Sequence, residues 1–106
     1  GVAQSFIESY LQNDKRKMES LVIDTITINE MSISYEFSGE NVELPIKTGY
    51  LNYRLKSIGI EEDEIVFYQY IIYETPFTGV QNGFFMNLSL KQINGTWQII
   101  EITYDI

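Results

Sequence analysis

The stretch Phe84-Phe-Met-Asn-Leu-Ser-Leu-Lys-Gln-Ile-Asn-Gly-Thr-Trp-Gln-Ile-Ile-Glu-Ile-Thr-Tyr-Asp-Ile106 decides how the chain is read. Two runs of mostly apolar residues flank Asn94-Gly95. Both central residues of a type I′ turn need a positive φ, and Asn and Gly adopt it at least cost, so the dipeptide predicts a β-hairpin with these two residues at its tip. Counting back from the tip pairs Ile93 with Thr96, Leu90 with Ile99, Leu88 with Glu101 and Phe85 with Tyr104. Residues directly opposite share a sheet face. One face then carries Phe84, Met86, Leu88, Leu90, Trp97 and Ile99. The other carries Phe85, Ile93, Ile100, Ile102 and Tyr104 among Asn87, Ser89, Lys91 and Gln98. Neither face is plainly polar, so the pattern predicts a sheet with something to cover on both sides.

Upstream of this hairpin the signal is also strand. Ile65 to Tyr73 reads Ile-Val-Phe-Tyr-Gln-Tyr-Ile-Ile-Tyr, and a strand without alternation suggests a central position with both faces in contact. Leu51, Tyr53 and Leu55 alternate with Asn52, Arg54 and Lys56, the period of a half-buried strand. Glu61-Glu62-Asp63-Glu64 forms a charged connection, and Thr75-Pro76-Phe77-Thr78-Gly79 a turn. Residues 23 to 37 are ambiguous: Ile26 and Ile28 alternate, then Met31, Ile33, Tyr35 and Phe37 alternate in the opposite phase. β-Branched residues favour strand here, with a bulge or break near Asn29-Glu30; a short helix is the alternative. Ser38-Gly39-Glu40-Asn41 is a turn, and Leu44-Pro45 is extended because the residue before proline is driven from the α region.

The N-terminal stretch has a different period. Val2, Ala3, Phe6, Ile7, Tyr10 and Leu11 follow the spacing of a helix with one buried stripe. Asn13-Asp14 interrupts it, and either residue can cap a new start. Met18, Leu21 and Val22 resume the stripe, so the reading is a helix, a break and a short second helix to about Val22, or one unbroken helix. The fold expected is α+β, with N-terminal helices packed on a curved, mostly antiparallel four-stranded sheet. Residues 1–106 form a single domain of ordinary size, long enough to bury roughly two-thirds of the unfolded surface without staples.

Composition narrows the functions available. Fifteen acidic against seven basic residues give a net charge of −8, which disfavours a nucleic-acid partner, since phosphate binding needs a basic stripe. A solvated helix surface accounts for the one basic cluster, Lys15-Arg16-Lys17. The chain has no histidine and no cysteine. That removes Ser-His-Asp triads, Cys-His pairs, imidazole and thiolate metal sites and disulfides together. The run Glu61–Glu64 lacks the spacing and the glycine of a calcium loop, and Gly79 to Gly83 lacks the lysine and helix of a phosphate loop. No catalytic residue, metal or cofactor is therefore expected. Asn87-Leu-Ser and Asn94-Gly-Thr match the N-glycosylation pattern, which arises readily by chance. Eight tyrosines are many for this length. Tyr68, Tyr70 and Tyr73 lie on one strand, and they fit either sheet packing or a protein-binding face, where tyrosine is enriched. No apolar run reaches the about 18 residues of a membrane span. No signal peptide is recognisable, and the start at Gly1 suggests an excised fragment.

Phe6-Ile-Glu-Ser-Tyr-Leu with Asn13-Asp-Lys, the strand Phe67-Tyr-Gln-Tyr, and the closing Leu88-Ser-Leu-Lys with Gly95-Thr-Trp97-Gln-Ile-Ile-Glu-Ile102 resemble the TcpC family. These are VirB-type assembly components of Gram-positive conjugative type IV secretion systems, with a nuclear transport factor 2-like, or cystatin-like, cone fold. The resemblance covers most of the chain. It implies a non-catalytic scaffold in a DNA-transfer machine of the cell envelope, carried by a membrane-anchored parent of which this is the C-terminal extracytoplasmic domain. Its partners would be other channel subunits or a second copy, with no direct contact to nucleic acid. The family would place short helices across Ile23 to Pro45. Phe85, Ile100, Ile102 and Tyr104, on the face opposite the helix, with Tyr68 and Tyr70, are the expected protein-contact residues. The alternative is a small-ligand or enzymatic cone, which needs a cavity of about 300 Å³ or more and a convergent carboxylate such as Asp24 or Glu30. A surface lipoprotein or lipid-facing domain is a third possibility.

Overall fold

A computed structural model describes residues 1–74 and 83–105. Helix α1 (Val2–Leu11) and helix α2 (Lys15–Leu21) lead into β1 (Thr27–Ile28), β2 (Ser32–Phe37) and β3 (Glu40–Pro45). Strands β4 (Asn52–Ile60), β5 (Val66–Tyr73), β6 (Gly83–Ile93) and β7 (Thr96–Asp105) follow. A short 3-10 turn, Glu62–Glu64, joins β4 to β5. The fold is α+β with two antiparallel sheets, one ordered β1-β2-β3 and one ordered β4-β5-β6-β7. The four-stranded meander is the sheet that the sequence predicts. The three-stranded sheet lies over the stretch that was ambiguous, as strand and not as the short helices the resemblance implies.

The helix stripe forms as its spacing dictates. Ala3, Phe6, Ile7 and Tyr10 are buried, and each large side chain removed from water contributes about 1.5–3 kcal/mol. The break falls at Asn13, whose φ is 54°. Asp14 then caps α2, its carboxylate accepting from the Lys17 amide at 3.2 Å. Lys15, Arg16 and Lys17 are exposed on α2, and Met18 faces the core. The phase slip near Asn29 is a turn between β1 and β2, closed by the Asn29 amide on the Ser32 carbonyl at 2.8 Å. Ser38 and Gly39, with φ of 52° and 81°, make the two-residue turn of the β2–β3 hairpin, so Glu40 and Asn41 already belong to β3. The turn over Thr75–Gly79 and the loop to Gly83 fall on 75–82, outside the described residues.

At the closing hairpin, Asn94 and Gly95 take φ of 52° and 81° as the turn requires. Ile93 pairs with Thr96 and Leu90 with Ile99, and then the register shifts. Ile100 is an extra residue, so Leu88 faces Ile102 and not Glu101, and Phe85 faces Asp105 and not Tyr104. A bulge of this kind turns every residue beyond it to the other face. Ile102 and Tyr104 thus join Leu88 and Met86 under the helices, and Ile100 and Glu101 point away.

The free edge of β7 is covered. Val22 bridges Ile99, the Ile23 amide donates to the Ile99 carbonyl at 3.0 Å, and the Tyr35 hydroxyl donates to the Ile102 carbonyl at 2.6 Å. These contacts join the two sheets around one core containing Phe6, Ile7, Met18, Ile33, Met86, Leu88, Ile99 and Ile102.

Candidate docking surface

The helices do not cover the whole inner face of the large sheet. Ten residues make α1 about 15 Å long, whereas the 11 residues of β6 span about 37 Å. From Val2, α1 runs toward the end of the sheet holding Phe84 and Tyr104. There Tyr10 shares a 2.9 Å hydrogen bond with the Tyr104 hydroxyl, which donates to the Pro45 carbonyl, and the Lys47 amide donates to the Tyr10 hydroxyl at 2.7 Å. Lys47 Nζ lies 4.6 Å from the centre of the Phe84 ring. Burial raises the pKa of both Tyr10 and Tyr104. All these polar groups find partners inside the fold, so this end is a packed joint.

The other end is bare. Ile60 pairs with Val66, Val66 with Leu90 and Leu90 with Ile99, so these four share the inner face. Ile58 pairs with Tyr68 and Leu55 with Tyr70 on the same face, and Trp97 precedes Ile99 by two. Relative exposure is 84% at Ile60, 56% at Ile58, 41% at Leu55 and 40% at Trp97. Between this surface and the start of α1 lies a groove of about 220 Å³ lined by Gly1, Val2, Val66, Tyr68, Leu90 and Trp97. Ile58, Ile60, Val66, Tyr68 and Trp97 therefore make one apolar corner of the sheet. Patches of this kind mark contact sites.

The residues expected from sequence separate. Ile102 is wholly buried against the helices, and the hydroxyl of Tyr104 is engaged under them, so neither lies on the opposite face. The bulge at Ile100, absent from the sequence-derived register, is the reason. Phe85 and Ile100 keep that outer face, partly exposed. Lys56 Nζ sits 4.5 Å from the centre of the Phe85 ring, and Ile100 lines a shallow hollow with Phe37, Glu61, Ile65, Ser89 and Glu101. Burial first, and then Glu61, raises the pKa of Glu101. Between these apolar residues runs a polar row. Gln69 donates to Asn87 Oδ1 at 2.9 Å, and Asn87 Nδ2 donates to Thr103 at 3.1 Å and to Asp105 at 2.7 Å. Asn87, buried in this network, is no acceptor for a glycan in the folded chain. The outer face is thus more polar than its sequence pattern suggests.

Tyr70 is buried on the inner face beside Tyr68 and Tyr53, and burial pushes its pKa up to about 12. Tyr68 is half-buried at the rim of the bare corner, so of the six expected contact residues it alone belongs to it. Asp24 and Glu30 are exposed. Asp24 borders an open surface depression of about 400 Å³ with Lys15, Glu19 and Asn29, beside the buried Val22, Ile26 and Ile28. Glu61–Glu64 is an exposed turn.

No protein-family model, no curated protein and no solved structure is significantly similar to this chain.

Proposed function

We propose that this chain is a non-catalytic assembly domain that acts by contact with other protein molecules. The observation that carries the proposal is the apolar corner of Ile58, Ile60, Val66, Tyr68 and Trp97, bare at one end of a sheet whose inner face is packed around Phe84, Met86, Leu88 and Ile102. The aromatic pair Tyr68 and Trp97 suits the centre of such a contact, where Trp and Tyr contribute most. The exposed acidic turn beside it adds charge selectivity.

The resemblance of the first helix and the closing hairpin to the TcpC family gives the reading its more specific form. The domain is then a nuclear transport factor 2-like cone, on the extracytoplasmic side of a membrane-anchored parent, and its partners are other subunits of a conjugative secretion channel. Among the described residues no helix is long and apolar enough to cross a membrane, so the anchor would lie elsewhere in the parent. The ligand-pocket alternative has less support. The space between helices and sheet is filled by Phe6, Ile7, Tyr10, Met86 and Leu88, and Asp24 is exposed.

The test places Ile58→Lys with Trp97→Lys in the full-length protein in its host, beside Ile100→Glu on the outer face. Circular dichroism first establishes that each variant is folded. The corner variant should lose its place in the native-size complex and lose DNA transfer, and the outer-face variant should keep both. Normal assembly of the corner variant would refute the docking surface. Loss of assembly without any link to DNA transfer would refute the secretion reading alone.

A further inference from the structure

We infer that a second copy of this chain pairs antiparallel along the β4 edge that borders the bare corner, about a two-fold axis at Ile58. The inference rests on the docking reading above and names its partner.

Among the described residues, strand β4 has a neighbour on one side only. The opposite edge of the sheet, on β7, is already occupied by Val22, Ile23 and Tyr35. An edge strand offers a row of unpaired N–H and C=O groups, and proteins defend such edges with charges, prolines and bulges. The first half of β4 is defended in this way, with Arg54 and Lys56 around a register shift between Leu55 and Ser57. The second half, Ser57-Ile58-Gly59-Ile60, has no charge, no proline and no bulge, and all four residues are exposed. The undefended half is the half that carries the apolar corner.

The order of charges along the strand selects the partner. Arg54 and Lys56 are two of only seven basic residues in a chain of net charge −8. They precede the neutral segment, and Glu61, Glu62, Asp63 and Glu64 follow it. Antiparallel pairing of this strand with itself sets the basic start of each copy against the acidic end of the other. A parallel pairing sets like charge on like. With Ile58 opposite Ile58 of the second copy, Ser57 faces Gly59. The extra residue at Lys56 then brings Leu55 opposite Ile60 and Arg54 opposite Glu61. Each of these pairs shares a sheet face, as the pleat demands. A two-fold contact of this kind closes as a dimer, and the occupied β7 edge gives it no route to a filament. Pairing about seven residues per copy buries less than about 1,200 Å², the range of weak and transient contacts.

Because the chain has no cysteine, disulfide trapping reads the register directly. Opposite residues in an antiparallel pair lie about 4.5–5.5 Å apart at Cα, within disulfide range. Ile58→Cys should form an intermolecular disulfide under oxidised glutathione at least tenfold faster than Ile93→Cys, an exposed control beside the tip of the closing hairpin, two strands in from the β4 edge. Adding Arg54→Glu should slow trapping by roughly tenfold, since the symmetry counts each charge pair twice. Adding Glu61→Arg to that variant should restore it. Equal trapping of Ile58→Cys and Ile93→Cys, or no restoration by the charge swap, would overturn the proposal. If trapping fails while Ile58→Lys with Trp97→Lys still removes the full-length protein from its complex, the second copy is the wrong partner and the docking surface stands. If both fail, the docking reading falls as well.

Discussion

Ile100 and Ile102 would share a face in any regular strand, and the bulge puts them on opposite faces. Truncating each to alanine therefore tests the register of the sheet. Ile102 is wholly buried between Leu88 and the helices, and deleting such a side chain costs about 2–4 kcal/mol, including the cavity it leaves. Unfolding entropy near 2.1 cal/mol/K per residue, over 106 residues, converts each kcal/mol into a shift of about 4–5 °C. Ile102→Ala should thus lower Tm by roughly 10–18 °C, a large part of a total stability of about 5–15 kcal/mol. Ile100 is partly exposed over the outer face, and its truncation should cost about 1 kcal/mol or less, some 4 °C. Thermal and urea unfolding followed by circular dichroism measure both. Equal losses, or a greater loss at Ile100, would refute the bulge and return Ile102 to the outer face.

Further outcomes follow from the same contacts. Tyr35→Phe removes the buried hydroxyl that donates to the Ile102 carbonyl, so it should cost about 1–3 kcal/mol and speed hydrogen exchange at the Ile102 amide; unchanged exchange would show that Tyr35 does not cap this edge. The pKa of Tyr10, Tyr70 and Tyr104 is raised by burial, that of Tyr70 to about 12. Groups shifted upward contribute stability that is fully present below the ordinary tyrosine value near 10 and is lost as pH rises through the folded value. Unfolding should therefore set in above about pH 10, with a cooperative rise in tyrosinate absorbance at 295 nm. A smooth rise centred near pH 10 with the circular dichroism unchanged would contradict that packing. Asn87→Leu leaves Gln69, Thr103 and Asp105 without their common partner, so it should destabilise the domain by about 1–3 kcal/mol despite the added apolar surface, and a gain in urea midpoint would contradict the network.

Much of the fold was legible because its signals are local. The stripe of Phe6, Ile7 and Tyr10, the break at Asn13-Asp14 and the turn at Asn94-Gly95 each follow from a few adjacent residues. The bulge was not read, because Ile99 and Ile100 are the same residue type and nothing marks which one is extra. A signal did exist: the unbulged register puts the Glu101 carboxylate opposite Leu88 on the covered face, and a charge there is costly. Between Ile23 and Pro45 the phase slip was visible, but its meaning, a turn closing a second small sheet, depends on pairing with distant residues. The docking corner was missed for a different reason. Ile58 and Ile60 alternate with Ser57 and Gly59 as any half-buried strand does, and only the short reach of α1 leaves them bare. Residue type alone points equally to Tyr68, which lies at the corner, and to Tyr70, which is buried.

The most direct test is a concentration series of amide and indole NMR spectra on the isolated domain, from about 10 µM to 1 mM, the range for a weak contact. Shifts and broadening should be confined to Arg54–Glu61 and the paired Tyr68, growing with concentration and abolished by Ile58→Lys, while the indole of Trp97, three strands from this edge, stays unmoved. Spectra that do not change over this range, or changes centred on the polar row at Asn87 or on α2, would contradict the claim that the edge of β4 is where this domain meets its own second copy.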